Sequence, residues 1–224
     1  MGATFFFRDT QTLKMIPCVL IPLILEGEEY KSNKDINIWS AGCANGAEPY
    51  TLAIILKELL DEEIFSRIQI YATDIDPNNR FENILKKGSY PQDDLKKIPE
   101  KMFVNNFFKD PDIQGNYFIS GKIREHVKYT RHNLLSLKPV IERPFDVILC
   151  KNVLLHFTEK QITDITNMFY QSLSNSGFFI TEQTQKLPVS SSKQFEQFIS
   201  NARIYKKIKI NSTGALIVES YQPY

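Results

Sequence analysis

Residues 39–50 read WSAGCANGAEPY, and this stretch restricts the fold more than any other part of the chain. It joins an apolar run, INIWSAG at 36–42, to EPYTLAIILKELL at 48–60, where Leu52, Ile55 and Leu59 recur at helical spacing. A buried strand that passes through a glycine turn into an amphipathic helix is a β-turn-α unit, and such units build open, mostly parallel sheets. Nucleotide-binding folds use a turn of this kind to seat phosphate on a helix N-terminus, where N–H groups and the helix dipole attract negative charge. Here the new helix begins beside Glu48. A carboxylate suits the dipole but repels a pyrophosphate. GCANGA also lacks GxGxxG spacing, and no GK[ST] occurs, so dinucleotide and P-loop ligands are disfavoured.

The rest of the chain continues the alternation. IQIYATDID (68–76) predicts a second strand, and NNRFENILKK a helix that Gly88 stops in a left-handed cap. FDVILCKN (145–152) is continuously apolar, as strands covered on both faces are. TEKQ (158–161) has capping-box spacing ahead of a helical stripe at Ile162, Ile165, Phe169 and Leu173, and GFFITEQ (177–183) returns as strand. A helix near KQFEQFISNA and two strands, IYKKIKI and ALIVES, joined by NSTG, are expected to close the chain. The predicted fold is therefore α/β and Rossmann-like, a mostly parallel sheet with helices on both faces. From Tyr90 to about Val127 the rhythm breaks: prolines stand at 91, 99 and 111, and GNYFISGKIREHV suggests a hairpin or small antiparallel sheet. It reads as an insertion suited to recognition, or else as a long connection.

A chain of 224 residues, 42% hydrophobic and 24% charged, is long enough for one large packed domain. With 27 basic and 26 acidic residues, the net charge of +1 provides no whole-molecule field for nucleic acid or a membrane surface. The longest apolar stretches, such as VLIPLIL at 19–25, fall short of the roughly 20 residues of a membrane helix, and no signal peptide is expected. Cys18, Cys43 and Cys150 form no CxxC pair and leave one thiol over in any disulfide scheme, which suits a reducing cytoplasm and buried, structural cysteines. His126, His132 and His156 lack ligand spacing, so no metal is expected.

In an open α/β sheet the ligand lies beyond the carboxyl ends of the strands, so Gly42, Asp74, Asn133 and Asn152 are expected along one crevice. A cationic, phosphate-free ligand fits Glu48 better than a nucleotide does. S-adenosylmethionine is such a ligand, with a sulfonium and an α-ammonium group. ATDID supplies Asp74 and Asp76 at a strand end, where a carboxylate either accepts two ribose hydroxyls or caps the next helix.

The order and spacing of TFFFRD (4–9), WSAGCANGAEPYTLAIIL (39–56), ATDIDPNN (72–79), GSY (88–90), NLL (133–135), PFDVILCKNVLLHF (144–157) and LSNSGFFI (173–180) resemble those of the CheR-type chemotaxis-receptor methyltransferases across nearly the whole chain. The resemblance implies a class I methyltransferase fold with a small inserted antiparallel β-subdomain, placed here at 93–127 of a domain spanning 36–224. Residues 1–35 are then an N-terminal segment and lid, with the family's helical domain missing. It further implies S-adenosylmethionine as methyl donor, S-adenosylhomocysteine as product, and esterification of glutamates on methyl-accepting chemotaxis receptors by a cytoplasmic monomer.

Carried over by position, Thr4, Arg8, Gly42, Glu48, Asp74, Asn133, Leu134, Lys151 and Asn152 match cofactor contacts, and Arg8, Lys151 and His156 match the catalytic side. The chain departs from the family where GA at 2–3 replaces NE and where KNVLLHF replaces RNVLIYF, putting lysine for arginine at 151 and histidine for tyrosine at 156. A glutamate side chain, with a pKa near 4.3, is already an anion at pH 7 and needs no general base. Arg8, Lys151 and His156 are accordingly assigned to orienting the acceptor. Residue by residue, simpler readings stay open: packing for His156, a surface charge for Lys151, a solvated terminus for Arg8, turn formation for Asn133 and Asn152. For the whole chain, a methyltransferase with another acceptor and a non-catalytic cofactor-binding module remain alternatives.

Overall fold

Ile36–Ala41 forms the first strand, β1, with all six residues buried, the pattern of a strand covered on both faces. The computed structural model describes residues 4–8, 10–26, 34–199, 202–210 and 216–217. They fall into two units, Met1–Leu134 and Leu135–Tyr224.

In the first unit, α1 (Thr10–Lys14) and α2 (Ile16–Glu26) precede β1, followed by α3 (Ala47–Leu59), α4 (Glu62–Ser66), β2 (Ile68–Asp74) and α5 (Arg80–Lys87). Then come β3 (Ser89–Pro91), α6 (Gln92–Leu95), α7 (Glu100–Asn106), β4 (Phe107–Lys109), β5 (Asn116–Ile119), α8 (Gly121–Arg124) and β6 (Val127–Arg131). The strands β6, β2 and β1 lie side by side and parallel, with Ile36 opposite Ile68 and Ile70 opposite Val127. α5 stops where expected: Gly88, at φ 65°, closes it with its N–H on the Ile84 carbonyl at 2.7 Å. The chain between α5 and β6 builds a separate antiparallel sheet in the order β3, β5, β4. Of GNYFISGKIREHV only β5 belongs to that sheet; Gly121–Arg124 is helical and Val127 begins β6.

The aromatic N-terminal segment is fastened to this sheet. Phe6 is fully buried and meets Tyr90 and Phe107 edge-on, at 4.8 and 5.5 Å between centroids. On α2 Ile16, Pro17, Val19 and Leu20 are buried, while Cys18 lies on the exposed side. Cys18 is thus a correction to the expectation of three buried cysteines; Cys43 and Cys150 are buried. Among the described residues no helix is long and apolar enough to cross a membrane.

The second unit contains β7 (Phe145–Cys150), α9 (Glu159–Ser172), β8 (Leu173–Thr181), β9 (Phe195–Ile199), β10 (Ile204–Lys207), β11 (Lys209–Ile210) and β12 (Leu216–Ile217). β7 and β8 are parallel; β10 pairs antiparallel with both β8 and β9, and β11 with β12. The expected capping box is present, with Thr158 and Gln161 bonding each other's backbone at the start of α9. The turn NSTG lies outside the described residues.

The helix expected near KQFEQFISNA is not there: a short 3-10 turn at Val189–Lys193 leads into β9. Phe195, Phe198 and Ile199 have helical spacing, but in a strand an i, i+3 pair points to opposite faces. Phe195 meets Phe179 at 5.7 Å and Phe198 meets Phe178 at 5.0 Å, neighbours on opposite faces of β8. Cover on both faces, together with pairing to β10, outweighs the local pattern. With parallel strands alternating with helices, an antiparallel edge and a small added sheet, the fold is of the Rossmann-like class I type.

Candidate functional site

The carboxyl ends of β1, β2 and β6 lie at one edge of the first unit, and the glycine turn stands there. The N–H groups of Gly42 and Cys43 both donate to the Thr73 carbonyl, at 2.7 and 2.9 Å, which fastens the end of β1 to that of β2. Gly42 (φ 84°), Ala44 (φ 49°) and Gly46 (φ 90°) all sit in the left-handed region. Alanine adopts that conformation at a cost of about 1–2 kcal/mol, and a specific bond opposes the cost here: the Ala44 N–H donates to Asp74 Oδ2 at 2.9 Å.

The helix that follows makes a poor anion cradle. Its first N–H, from Ala47, is taken by Asn45 Oδ1 at 3.1 Å, and its third residue, Pro49, has none. The start of the helix is thus short of N–H donors, and the side chain of its second residue, Glu48, is anionic. Glu48 Oε1 accepts the Ser40 hydroxyl at 2.8 Å. The thiol of Cys43 registers the local field. Burial first, then the carboxylates of Asp74 and Glu48, push its pKa well above the usual value, so it stays a thiol. Excess negative potential at a turn poor in donors suits a cationic, phosphate-free ligand such as S-adenosylmethionine.

The two aspartates at the end of β2 separate cleanly. Asp76, at φ 34° and buried, caps α5: its carboxylate accepts the N–H groups of Arg80, Phe81 and Glu82 at 2.9–3.0 Å and the Tyr129 hydroxyl at 3.3 Å. Burial works against its charge, but the N–H groups of Glu82, Phe81 and Arg80 and the Tyr129 hydroxyl outweigh it and lower its pKa. Asp74, half-buried, accepts one N–H on each oxygen, from Ala44 and from Asp76 at 3.2 Å. A carboxylate has about four lone-pair sites, so Asp74 retains capacity for two hydroxyl donors while Asp76 is committed to the helix.

Asn133 and Leu134 follow β6 at the same edge. The preceding His132 donates its N–H to the Asp74 carbonyl at 2.8 Å; Asn133 is exposed and Leu134 buried. Thr4 and Arg8 flank the N-terminal anchor. The Phe7 N–H donates to Thr51 Oγ1, at 3.0 Å, three residues along α3 from Glu48. Thr4 is half-buried, while Arg8 is exposed with its guanidinium 6.0 Å from the centre of the Phe5 ring. Gly42, Glu48, Asp74, Asn133 and Leu134 are therefore gathered at one strand edge, with Phe7, between Thr4 and Arg8, tied to Thr51 of α3.

Lys151, Asn152 and His156 belong to the second unit, in the loop leaving β7. Lys151 is 5% exposed, which sets aside its reading as a surface charge. Asn152 has φ 58°, and its N–H donates to Glu182 Oε2 at 2.8 Å. His156 ends a 3-10 turn, Leu154–His156, and is exposed, so packing does not account for it. Sequence reasoning did not single out Glu182 or Ser40. Ser40 lies on β1 and Glu182 just past β8, and only the pairing across 8 and 30 residues reveals their partners.

The family model of the CheR methyltransferase SAM-binding domain matches residues 2–204. A chemotaxis protein methyltransferase of Borreliella burgdorferi is 28% identical over 187 residues, covering 82% of this chain and 64% of that protein. One from Listeria innocua is 30% identical over 180 residues, covering 79% and 62%. Chemotaxis protein methyltransferase 2 of Vibrio cholerae is 27% identical over 214 residues, covering 93% and 71%. The chain spans about two thirds of the length of these relatives. With a match over most of its residues, this protein belongs to the CheR methyltransferase family through its SAM-binding domain.

Proposed function

We propose that the protein transfers a methyl group from S-adenosylmethionine to glutamate side chains of methyl-accepting chemotaxis receptors, in the cytoplasm. The observation that carries this reading is the acidic glycine turn, whose helix start is short of N–H donors and has two carboxylates beside it. In it, Glu48 and Asp74 hold the cofactor, Glu48 as counter-charge and Asp74 through its two remaining acceptor sites. Gly42, Asn133 and Leu134 complete the strand-edge contacts, and Thr4 and Arg8 cover them from the N-terminal segment.

When bound, the cofactor supplies an electrophilic methyl group. The chain then has to aim the acceptor, because a glutamate at neutral pH is already ionised. Good alignment alone contributes roughly 7–11 kcal/mol in well-oriented reactions. Arg8, Lys151 and His156 are assigned to orienting the acceptor carboxylate. Lysine lacks the planar fork of arginine, so the hold at 151 is a point contact that binds the ground state less tightly. His156 donates one N–H where the family pattern has a tyrosine hydroxyl.

Calorimetry with S-adenosylmethionine and S-adenosylhomocysteine, followed by tritiated methyl transfer to receptor fragments, tests the reading. Saturable binding and a base-labile label on glutamate are expected. A base-stable label would reassign the acceptor, binding without label would leave a cofactor-binding module, and absence of binding would reject the proposal.

A further inference from the structure

Glu182 follows the last residue of β8 and is only 5% exposed. One of its oxygens, Oε2, takes two donors, the Asn152 N–H at 2.8 Å and the Thr181 hydroxyl at 2.9 Å. The other, Oε1, is buried without a hydrogen-bond partner among the described residues. Two donors on one oxygen need no charge; an amide oxygen accepts both. Burying a carboxylate with one oxygen undonated is costly, and that cost calls for a return elsewhere.

The return lies in Asn152. Asn152 sits at φ 58°, in the left-handed region, which asparagine tolerates better than other non-glycine residues but which a bond to its N–H still has to select. A bond from its N–H to an ionised acceptor is about twice as strong as one to a neutral acceptor. It fixes the direction in which the chain leaves β7. Buried Lys151 lies just before this point. Just after it comes the 3-10 turn, closed by the His156 N–H on the Val153 carbonyl at 3.1 Å and the Phe157 N–H on the Leu154 carbonyl at 3.0 Å.

We propose that Glu182 is a positioning residue for methyl transfer: by holding the Asn152 N–H it sets the left-handed bend that aims Lys151 and His156, without itself touching the reactants. This rests on the acceptor-orienting roles given to those two residues above. Sequence spacing offers no hint of it, since 30 residues separate the partners.

The test uses the full chain and the variants Glu182→Gln, which keeps shape and one acceptor but no charge, and Glu182→Ala. The first readout is independent of activity. In both variants the Asn152 amide proton resonance is expected to move upfield, and its solvent exchange to quicken about tenfold or more as the charge-assisted bond is lost. The second is a split of kinetic constants on a receptor fragment. kcat should fall roughly 10- to 100-fold in Glu182→Ala, with partial rescue in Glu182→Gln, and by more than the KM for S-adenosylmethionine or the affinity for S-adenosylhomocysteine changes, although Asn152 also matches a cofactor contact. An unmoved Asn152 amide overturns the proposal outright, as does an unchanged kcat or a loss confined to cofactor affinity. A wild-type chain that labels no receptor fragment removes the functional reading and the catalytic half of this one, whereas the amide result still decides whether Glu182 sets the bend.

Discussion

Three glycine-to-alanine substitutions separate backbone strain from crowding at the glycine turn before α3. At Gly115, φ is 83° and an added Cβ meets nothing within 4 Å, so Gly115→Ala measures the left-handed strain alone. That strain costs about 1–2 kcal/mol, offset by about 0.4–1 kcal/mol of entropy removed from the unfolded chain. At Gly46, φ is 90° and the Cβ would stand 2.6 and 2.7 Å from Leu85 Cδ2 and Cγ and 3.0 Å from Tyr90 Oη. Carbon atoms in good contact stand about 3.5–4.0 Å apart, so the overlap is near 1 Å. Neither neighbour gives way easily: Leu85 is 3% exposed, and the Tyr90 hydroxyl is bonded to the Asn45 carbonyl at 2.8 Å. Overpacking of this kind adds about 1–3 kcal/mol. At Gly121, which opens α8, there is neither positive φ nor crowding, and alanine should be neutral or stabilising by up to about 1 kcal/mol.

Thermal and urea unfolding should therefore rank stability as Gly121→Ala, then Gly115→Ala, then Gly46→Ala. The last two should differ by about 1–3 kcal/mol, or roughly 2–12 °C in Tm for a chain of this size. Gly46→Ala should also weaken S-adenosylhomocysteine binding by displacing the start of α3, whereas Gly115→Ala should not. Equal losses at 46 and 115 would refute the crowding by Leu85 and Tyr90 at position 46.

Asp74→Ala should raise the Kd for S-adenosylhomocysteine about 10- to 150-fold in calorimetry, the equivalent of the roughly 1.5–3 kcal/mol of a bond to a charged group; a change under twofold would remove Asp74 from the cofactor site. Asp76→Asn should lower Tm at neutral pH and leave cofactor affinity nearly unchanged, because Asp76 serves α5. Its folded pKa is lowered, so its stabilisation is present above the unfolded carboxyl value near 3.9 and is lost as pH falls through the folded one. A Tm profile below about pH 4 should accordingly be flatter in the variant than in the wild type, and parallel profiles would contradict the cap. His156→Tyr should keep or raise methyl transfer to a receptor fragment, and His156→Ala should lower kcat more than cofactor affinity; unchanged turnover in the alanine variant would take His156 out of the acceptor site.

What the sequence determined by itself was local. The strand, turn and helix around Gly42, the left-handed stop at Gly88 and the capping box at Thr158 each depend on residues within a few positions of one another, so composition and spacing reveal them. The acidic character of the turn was legible for the same reason, since Glu48 lies a few residues past the glycines. Only the tertiary structure decided between Asp74 and Asp76. Asp74 ends β2 and Asp76 follows two residues later, and what parts them is an Ala44 N–H 30 residues from Asp74 and a cluster of helix N–H groups on Asp76. It also turned Phe195–Ile199 into a strand, because Phe178 and Phe179 wait on opposite faces of β8, and it joined Glu182 to Asn152. Those pairings depend on strand register, which is fixed by burial over the whole sheet and leaves no mark within any short window of sequence.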